Sequence, residues 1–168
     1  ACARAQDQTG LIICDPAYSS KLVACETLTE ARQVQSSGLI PVLLPSHLIF
    51  TIDPFEMSWE ITSDGMAVWL AWLVRAPLTA VLTDVDGVFV PGSDFQSASP
   101  VAHIAAAVLC DWGQTSVDRC VPAFLEWRGG RAWVGHGRYE DRLVKALLGE
   151  PVLGTFIEGR FSATTQSC

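Results

Sequence analysis

Four short strand-like runs, Leu39–Leu44, Leu78–Thr83, Arg131–Val134 and Leu153–Ile157, are separated by stretches long enough for helices. That alternation constrains the fold more than any other feature of the chain. The run Leu39–Leu44 (LIPVLL) has no polar side chain, as a strand buried on both faces requires, and Pro45-Ser46 ends it. Residues 46–62, with Pro54, read as irregular. A helix is expected from near Asp64 to Arg75, capped by Thr62, Ser63 or Asp64 and stopped by Pro77. Ser99-Pro100 starts another through Leu109, because proline suits a first helical turn. Thr115 or Ser116 caps a helix that runs to Arg128 and stops at Gly129-Gly130. Gly135-His136-Gly137 reads as a turn, and Tyr139–Leu148 as a helix ended by Gly149 and Pro151. Residues 1–9 look like the inside of a helix, and the polar segment Gly159–Cys168 like a frayed tail. Strands alternating with helices give an α/β fold, a mainly parallel sheet sandwiched by helices. Ligands in such sheets bind at the carboxyl ends of the strands, so the loops after 39–44, 78–83 and 131–134 matter most.

Composition narrows the classes of function. A chain of 168 residues predicts about one domain. It buries enough surface to need no disulfide staples. Hydrophobic residues make up 49% and charged residues 17%, which excludes a disordered chain. The net charge is −7 and the only lysines are Lys21 and Lys145, so no basic surface for nucleic acid is expected. No apolar run is long enough to span a membrane; Ala67–Val74 and Ala102–Leu109 are the longest. With no signal peptide in view, the expected location is the cytoplasm. The six cysteines form no C-x-x-C pair and are read as reduced, buried thiols. His47, His103 and His136 form no ligand pair such as H-x-x-x-H, so no zinc-type site is expected and no residue is assigned as a metal ligand. Low charge with high hydrophobicity points to deep burial, an oligomer interface or both, and a homo-oligomer is the expected state.

Four segments are candidates to carry the chemistry. Leu82-Thr83-Asp84-Val85-Asp86-Gly87-Val88-Phe89 runs a buried strand into two carboxylates, then a glycine that permits a sharp turn. Asp84 and Asp86 share a face for as long as the strand persists. Such a pair can hold Mg²⁺, act as nucleophile and acid, or accept from ribose hydroxyls; otherwise it is a solvated acidic turn. Ser58-Trp59-Glu60-Ile61-Thr62-Ser63-Asp64 crowds three polar side chains at a helix start. Plain N-capping needs only one of them, and helix N-termini also bind anions. Gly113-Gln114-Thr115-Ser116-Val117-Asp118 sets a glycine and two hydroxyls before a helix, either as a capped loop or as a phosphate contact. Gly135-His136-Gly137-Arg138 is a tight turn after a strand. Trp69 and Trp72 read as core or interface residues.

The order of these pieces resembles the amino acid kinase superfamily, which includes aspartate, glutamate, N-acetylglutamate, uridylate and isopentenyl phosphate kinases. T-D-V-D-G-[VIL]-[YF] is its nucleotide-loop signature, here Thr83–Phe89. The five segments Leu43–Ser46, Ser58–Asp64, Thr83–Phe89, Gly113–Asp118 and Gly135–Arg138 are similar, in order, to the aminomethylfuran-phosphate kinases of methanofuran biosynthesis. The likeness covers residues 6 to 157. It implies in-line phosphoryl transfer from ATP with Mg²⁺ to a small-molecule acceptor, in which catalysis is mostly positioning and charge neutralisation. By the same likeness, Thr83, Asp84, Asp86, Gly87 and Phe89, with Asp94 and the turn Gly113, Thr115 and Ser116, are nucleotide-binding. Ser58, Trp59, Thr62, Ser63 and Asp64 shape the acceptor site, and Asp64 is the catalytic residue.

Departures from that pattern set further expectations. The superfamily's K-x-G-G-S loop and second G-G-G loop, which hold the transferred phosphate, occur nowhere in the sequence. Residues 1–158 are therefore expected to be the C-terminal, nucleotide-binding part of such a kinase, N-terminally truncated and inactive alone. Ser116 stands where many members carry lysine, and His136 where the methanofuran group has Asn. Val90-Pro91-Gly92-Ser93-Asp94 replaces the usual T-A-D-P. Two rival readings remain, besides that of an inert structural domain. One is a haloacid-dehalogenase-type Mg²⁺-dependent phosphatase with Asp84 as nucleophile and Asp86 as general acid. Against it, a strand–helix unit precedes the motif, Lys145 lies mid-helix and no acidic pair follows Thr155–Ile157. The other is a non-catalytic nucleotide-binding or storage subunit of the kinase fold.

Overall fold

The computed structural model describes residues 2–54, 61–94 and 97–160. It divides into two units, residues 1–58 and 59–168.

The first unit orders α1 (Cys2–Ile13), β1 (Leu22–Cys25), α2 (Leu28–Ser36), β2 (Ile40–Leu43) and α3 (Pro45–Ile52). β1 and β2 pair in parallel, from Leu22 opposite Ile40 to Cys25 opposite Leu43. A capping box starts α2: Thr27 accepts from the Glu30 N–H while the Glu30 side chain accepts from the Thr27 N–H. The Asp7 carboxylate of α1 accepts from the Ser46 N–H at 3.1 Å, and from its hydroxyl, at the start of α3. Residues 46–52, part of the 46–62 stretch expected to be irregular, lie in a helix that begins at Pro45. Pro45 presets the first turn, and Asp53 ends the helix in the left-handed region at φ 49°.

The second unit orders α4 (Ser63–Leu73), β3 (Thr79–Thr83), β4 (His103–Ala105), α5 (Ala106–Asp111), α6 (Cys120–Arg128), β5 (Arg131–His136), α7 (Glu140–Leu148) and β6 (Thr155–Glu158). Its sheet runs β3-β5-β6-β4. The β3–β5 and β4–β6 pairs are parallel, and β5–β6 is antiparallel. The expected parallel character thus holds for every pair but one. β5 is the deepest strand: Trp133 is fully buried between two glycines. A Cβ at Gly135 would lie 2.3 Å from its ring, and one at Gly154 2.2 Å from its Nε1. Val81, Val88, Ile104, Leu109, Val121 and Ile157 complete the core, each such burial contributing about 1.5–3 kcal/mol.

Two expectations fail here. The segment from Ser99-Pro100 does not start a helix; β4 precedes the six-residue α5. His103, Ile104 and Ala105 alternate exposed, buried and exposed, and pair with Phe156–Glu158, so sheet context overrides the proline signal. Gly135 and His136 are not a turn but the end of β5, opposite Leu82 and Thr83. At the far end, the Gly159 N–H donates to the Gly130 carbonyl at 2.9 Å. Residues 161–168 of the expected tail lie outside the described residues. Among the described residues no helix is long and apolar enough to cross a membrane.

Candidate functional site

The site grows from the first turn of α4. Sequence offers Thr62, Ser63 and Asp64 as caps, and Thr62 takes the N-cap position without a side-chain cap of its own. Its hydroxyl and N–H both donate instead to the Asp118 carboxylate, at 2.7–2.9 Å. The Gly65 N–H donates to the same carboxylate at 3.3 Å. Asp118 therefore caps α4 from a segment more than fifty residues away, and its negative charge suits the helix's positive end. In return the Asp118 N–H donates to Asp64 at 3.3 Å, while the exposed Ser63 hydroxyl donates to the other Asp64 oxygen at 3.2 Å. Burial, then the neighbouring Asp118 charge, holds the Asp64 carboxyl above its ordinary range.

The turn Gly113–Asp118 closes the second side. Gly113 has φ 76°, a conformation glycine adopts without strain. The Ser116 hydroxyl donates to the Gly87 carbonyl at 3.0 Å, joining this turn to the loop after β3. The cleft between α4 and the turn has a volume of about 310 Å³ and is lined by Asp64, Thr115, Ser116, Asp118 and Arg119, among others. α6 starts at Cys120, later than the Thr115 or Ser116 start expected from sequence, because the intervening residues form the wall of this cleft.

The loop after β3 adjoins the turn through that Ser116–Gly87 bond. β3 stops at Thr83, so Asp84 and Asp86 do not continue its alternation. The Thr83 hydroxyl accepts from the Val85 N–H at 2.9 Å, and the Thr83 carbonyl accepts from the Gly137 N–H. This second bond ties the loops after β3 and β5 at the shared carboxyl end of two parallel strands. Asp84 is exposed. Asp86 pairs with Arg142 of α7 at 2.5 Å. Gly87 has φ 152°, and a Cβ there would lie 2.7 Å from the Thr155 hydroxyl. The Val88 N–H donates to that hydroxyl at 2.8 Å, anchoring the loop to β6. Phe89 is buried. Asp94 sits in an exposed turn, where its carboxylate accepts from the Ser97 hydroxyl. Ser58 and Trp59 lie outside the described residues.

The structure thus brings together Thr62, Ser63, Asp64, Thr115 and Ser116, with Gly87 joined through Ser116. It does not bring Asp94 into this cleft. Sequence reasoning missed Asp118 as a site residue, although it closes the G-x-T-S-V-D segment. It also missed Arg119, a cation on the cleft wall, and Arg142, which neutralises Asp86. No three His, Cys, Asp or Glu side chains among the described residues group as a metal cage.

The amino acid kinase family model matches residues 12–127. The (5-(aminomethyl)furan-3-yl)methyl phosphate kinase of Methanocaldococcus jannaschii is 30% identical over 138 residues, 81% of this chain. The chain spans only 61% of that relative's length. Among solved structures the chain is similar to UMP kinase from Bacillus anthracis (TM-score 0.69, 17% identity, 90% of this chain and 65% of that one). It is also similar to UMP kinase from Ureaplasma parvum (0.65, 14%, 92% and 67%). Uridylate kinase from Archaeoglobus fulgidus aligns as well (0.62, 19%, 90% and 72%), and at such identities these likenesses are of fold. A parallel-dominated sheet, loops gathered at the carboxyl ends of β3 and β5, and a family match over most of the sequence agree: the chain belongs to the amino acid kinase family.

Proposed function

We propose that this chain forms the nucleotide side of a small-molecule kinase, taking ATP at the loops after β3 and β5 and the turn Gly113–Asp118. The observation that carries the reading is the Asp118 interlock, which holds Asp64 beside Thr115 and Ser116 in one cleft. Thr83, Asp84, Asp86, Gly87, Phe89 and Asp94 remain the proposed nucleotide contacts on one side, and Gly113, Thr115 and Ser116 on the other. Asp64, with Thr62 and Ser63, would face the acceptor; Ser58 and Trp59 remain acceptor contacts proposed from the sequence likeness alone.

The chemistry of the pair Asp64 and Asp118 supports a cationic visitor. Two carboxylates close together repel, and a positive charge relieves that repulsion. Mg²⁺ fits such a donor set, since it keeps most of its waters and takes one or two carboxylates plus phosphate oxygens. Asp64 is the carboxylate that would hold it, and the ion's charge would offset that of the phosphates. The protonated amine of an aminomethylfuran phosphate, the acceptor named for the M. jannaschii relative, suits the same carboxylates. Arg119 on the cleft wall offers a planar donor set for a phosphate oxygen.

The phosphatase reading needs Asp86 free as an acid, whereas Arg142 engages it. The sequence holds no lysine within a glycine loop, so the chain is expected to bind nucleotide without turning it over by itself. Calorimetric titration of the chain with MgATP tests binding, and phosphorus NMR of ATP with aminomethylfuran phosphate tests transfer. Saturable binding lost in Thr115→Ala/Ser116→Ala supports the reading. No binding at millimolar MgATP, or binding indifferent to that double substitution, refutes the assigned site.

A further inference from the structure

A second cleft, of about 610 Å³, lies at the opposite end of β3 and β5, beside Thr79 and Arg131, the first residues of those strands. Its size falls within the range of small-ligand pockets. Arg75, Arg128 and Arg131 line it together with Trp72, Thr79 and Gly130. Three of the nine arginines of an acidic chain thus meet at one place.

Each guanidinium has a distinct setting. Arg131 is held by Glu158 at 2.8 Å through Nε, and its side chain keeps 42% of its surface exposed. Arg128 lies 3.5 Å over the Trp127 ring and 5.0 Å from the Trp72 ring centre. Stacking occupies the face of a guanidinium and leaves its in-plane N–H donors for an anion. Arg128 and Arg75 form no ion pair among the described residues. Trp72, edge-on to Phe124, is 41% exposed.

Arg75 supplies the independent observation. The Arg75 N–H donates to the Trp72 carbonyl and the Ala76 N–H to the Ala71 carbonyl, closing α4 in a Schellman pattern. Arg75 occupies the left-handed position at φ 56°, which glycine usually fills. A cation serving only the helix dipole fits within the last turn without that conformation. Strained backbone of this kind clusters at functional sites.

We infer that this cleft binds a phosphate monoester carrying a planar ring, with the phosphate on Arg75 and Arg128 and the ring against Trp72. The site is separate from the candidate kinase cleft, and the inference does not depend on the kinase reading. The full chain, ¹⁵N-labelled, would be titrated with phenyl phosphate, with phenol and inorganic phosphate as controls. The six tryptophan indole signals would be assigned through Trp72→Phe and Trp127→Phe. A saturable shift of the Trp72 indole is expected, tighter for phenyl phosphate than for either control. Arg75→Gly keeps the left-handed backbone and removes the cation, so affinity should fall roughly tenfold in a chain that folds at least as well. Arg128→Ala should do the same, and Asp64→Asn, which alters the other cleft, should leave the phenyl phosphate affinity of this one unchanged. Absence of a Trp72 shift at about 10 mM ligand, a weak affinity limit, overturns the inference. So does an unchanged affinity in Arg75→Gly, which would leave these arginines as helix-end charges, or phenol binding as tightly as phenyl phosphate.

Discussion

Asp118 organises more of the candidate site than any residue its motifs single out. It accepts from the Thr62 hydroxyl and N–H and from the Gly65 N–H, and its own N–H reaches Asp64. Asp118→Ala leaves these donors unpaired at a half-buried helix end and should cost about 1–3 kcal/mol in urea unfolding. It should also move the Asp64 proton affinity back toward its ordinary range, because one of the two causes of its rise is the Asp118 charge. A carbon-detected NMR titration of Asp64 reads that change. Asp64 itself gives an inverted pH dependence. Its folded carboxyl holds a proton more tightly than the unfolded one, so the folded state carries more protons between the ordinary value of 3.8 and the raised folded value. Stability contributed by this group is therefore present below 3.8 and lost as pH rises through the folded value. Asp64→Asn should abolish that slope and be more stable than the parent above it; parallel urea midpoints for both chains across that range would contradict the assignment. The sequence shows Thr62, Ser63 and Asp64 as cap residues because capping is local. Asp118 escaped because its partners lie 56 residues away and nothing near it signals them.

At the scale of elements, α4 and α6 meet where Gly65 faces Cys120. A Cβ on Gly65 would lie 2.4 Å from the Cys120 Sγ, so the absent side chain lets the first turn of one helix approach the first turn of the other. Gly65→Ala should improve helix propensity yet destabilise the protein by about 1–3 kcal/mol through overpacking. Cys120→Ala removes the obstructing sulfur, so the double variant should recover part of that loss. A thermodynamic cycle from urea unfolding of the four chains measures the coupling, and strict additivity would mean the contact does not set the packing. The same scale shows what sequence reveals. α7 and β3 were legible, because Gly149 and Pro151 end the one and the short run Ala80-Val81-Leu82 between β-favouring threonines marks the other. β4 was not, since three residues carry too little period to see and its partner strand arrives from residues 156–158. α3 was missed because its apolar composition, after a strand of the same character, shows no polar face to read.

For the molecule as a whole, the division at residue 58 decides where stability and binding reside. The core side chains Val68, Val81, Val88, Ile104, Leu109, Val121, Leu125, Val134 and Ile157 all belong to residues 59–168. So do every strand of the four-stranded sheet and each contact joining α4, the loop after β3 and the turn Gly113–Asp118. A segment of about a hundred residues with one continuous core is above the size at which disulfides or metals become necessary. The polypeptide 59–168 should therefore fold alone, with a single cooperative urea transition and a stability of about 5–15 kcal/mol. Under the proposed function it should also keep the MgATP affinity of the whole chain within about threefold, less than 1 kcal/mol. Near-ultraviolet circular dichroism reports the packing of Trp133 between Gly135 and Gly154, and calorimetry reports the affinity. Folding with unchanged affinity assigns the nucleotide contacts to this unit. Folding with affinity lost assigns some of them to residues 1–58, and the carboxyl-end loops of β3 and β5 would then be an incomplete site. Failure to fold would mean that the core, though contiguous, draws its stability from the first unit, against the division seen in the structure.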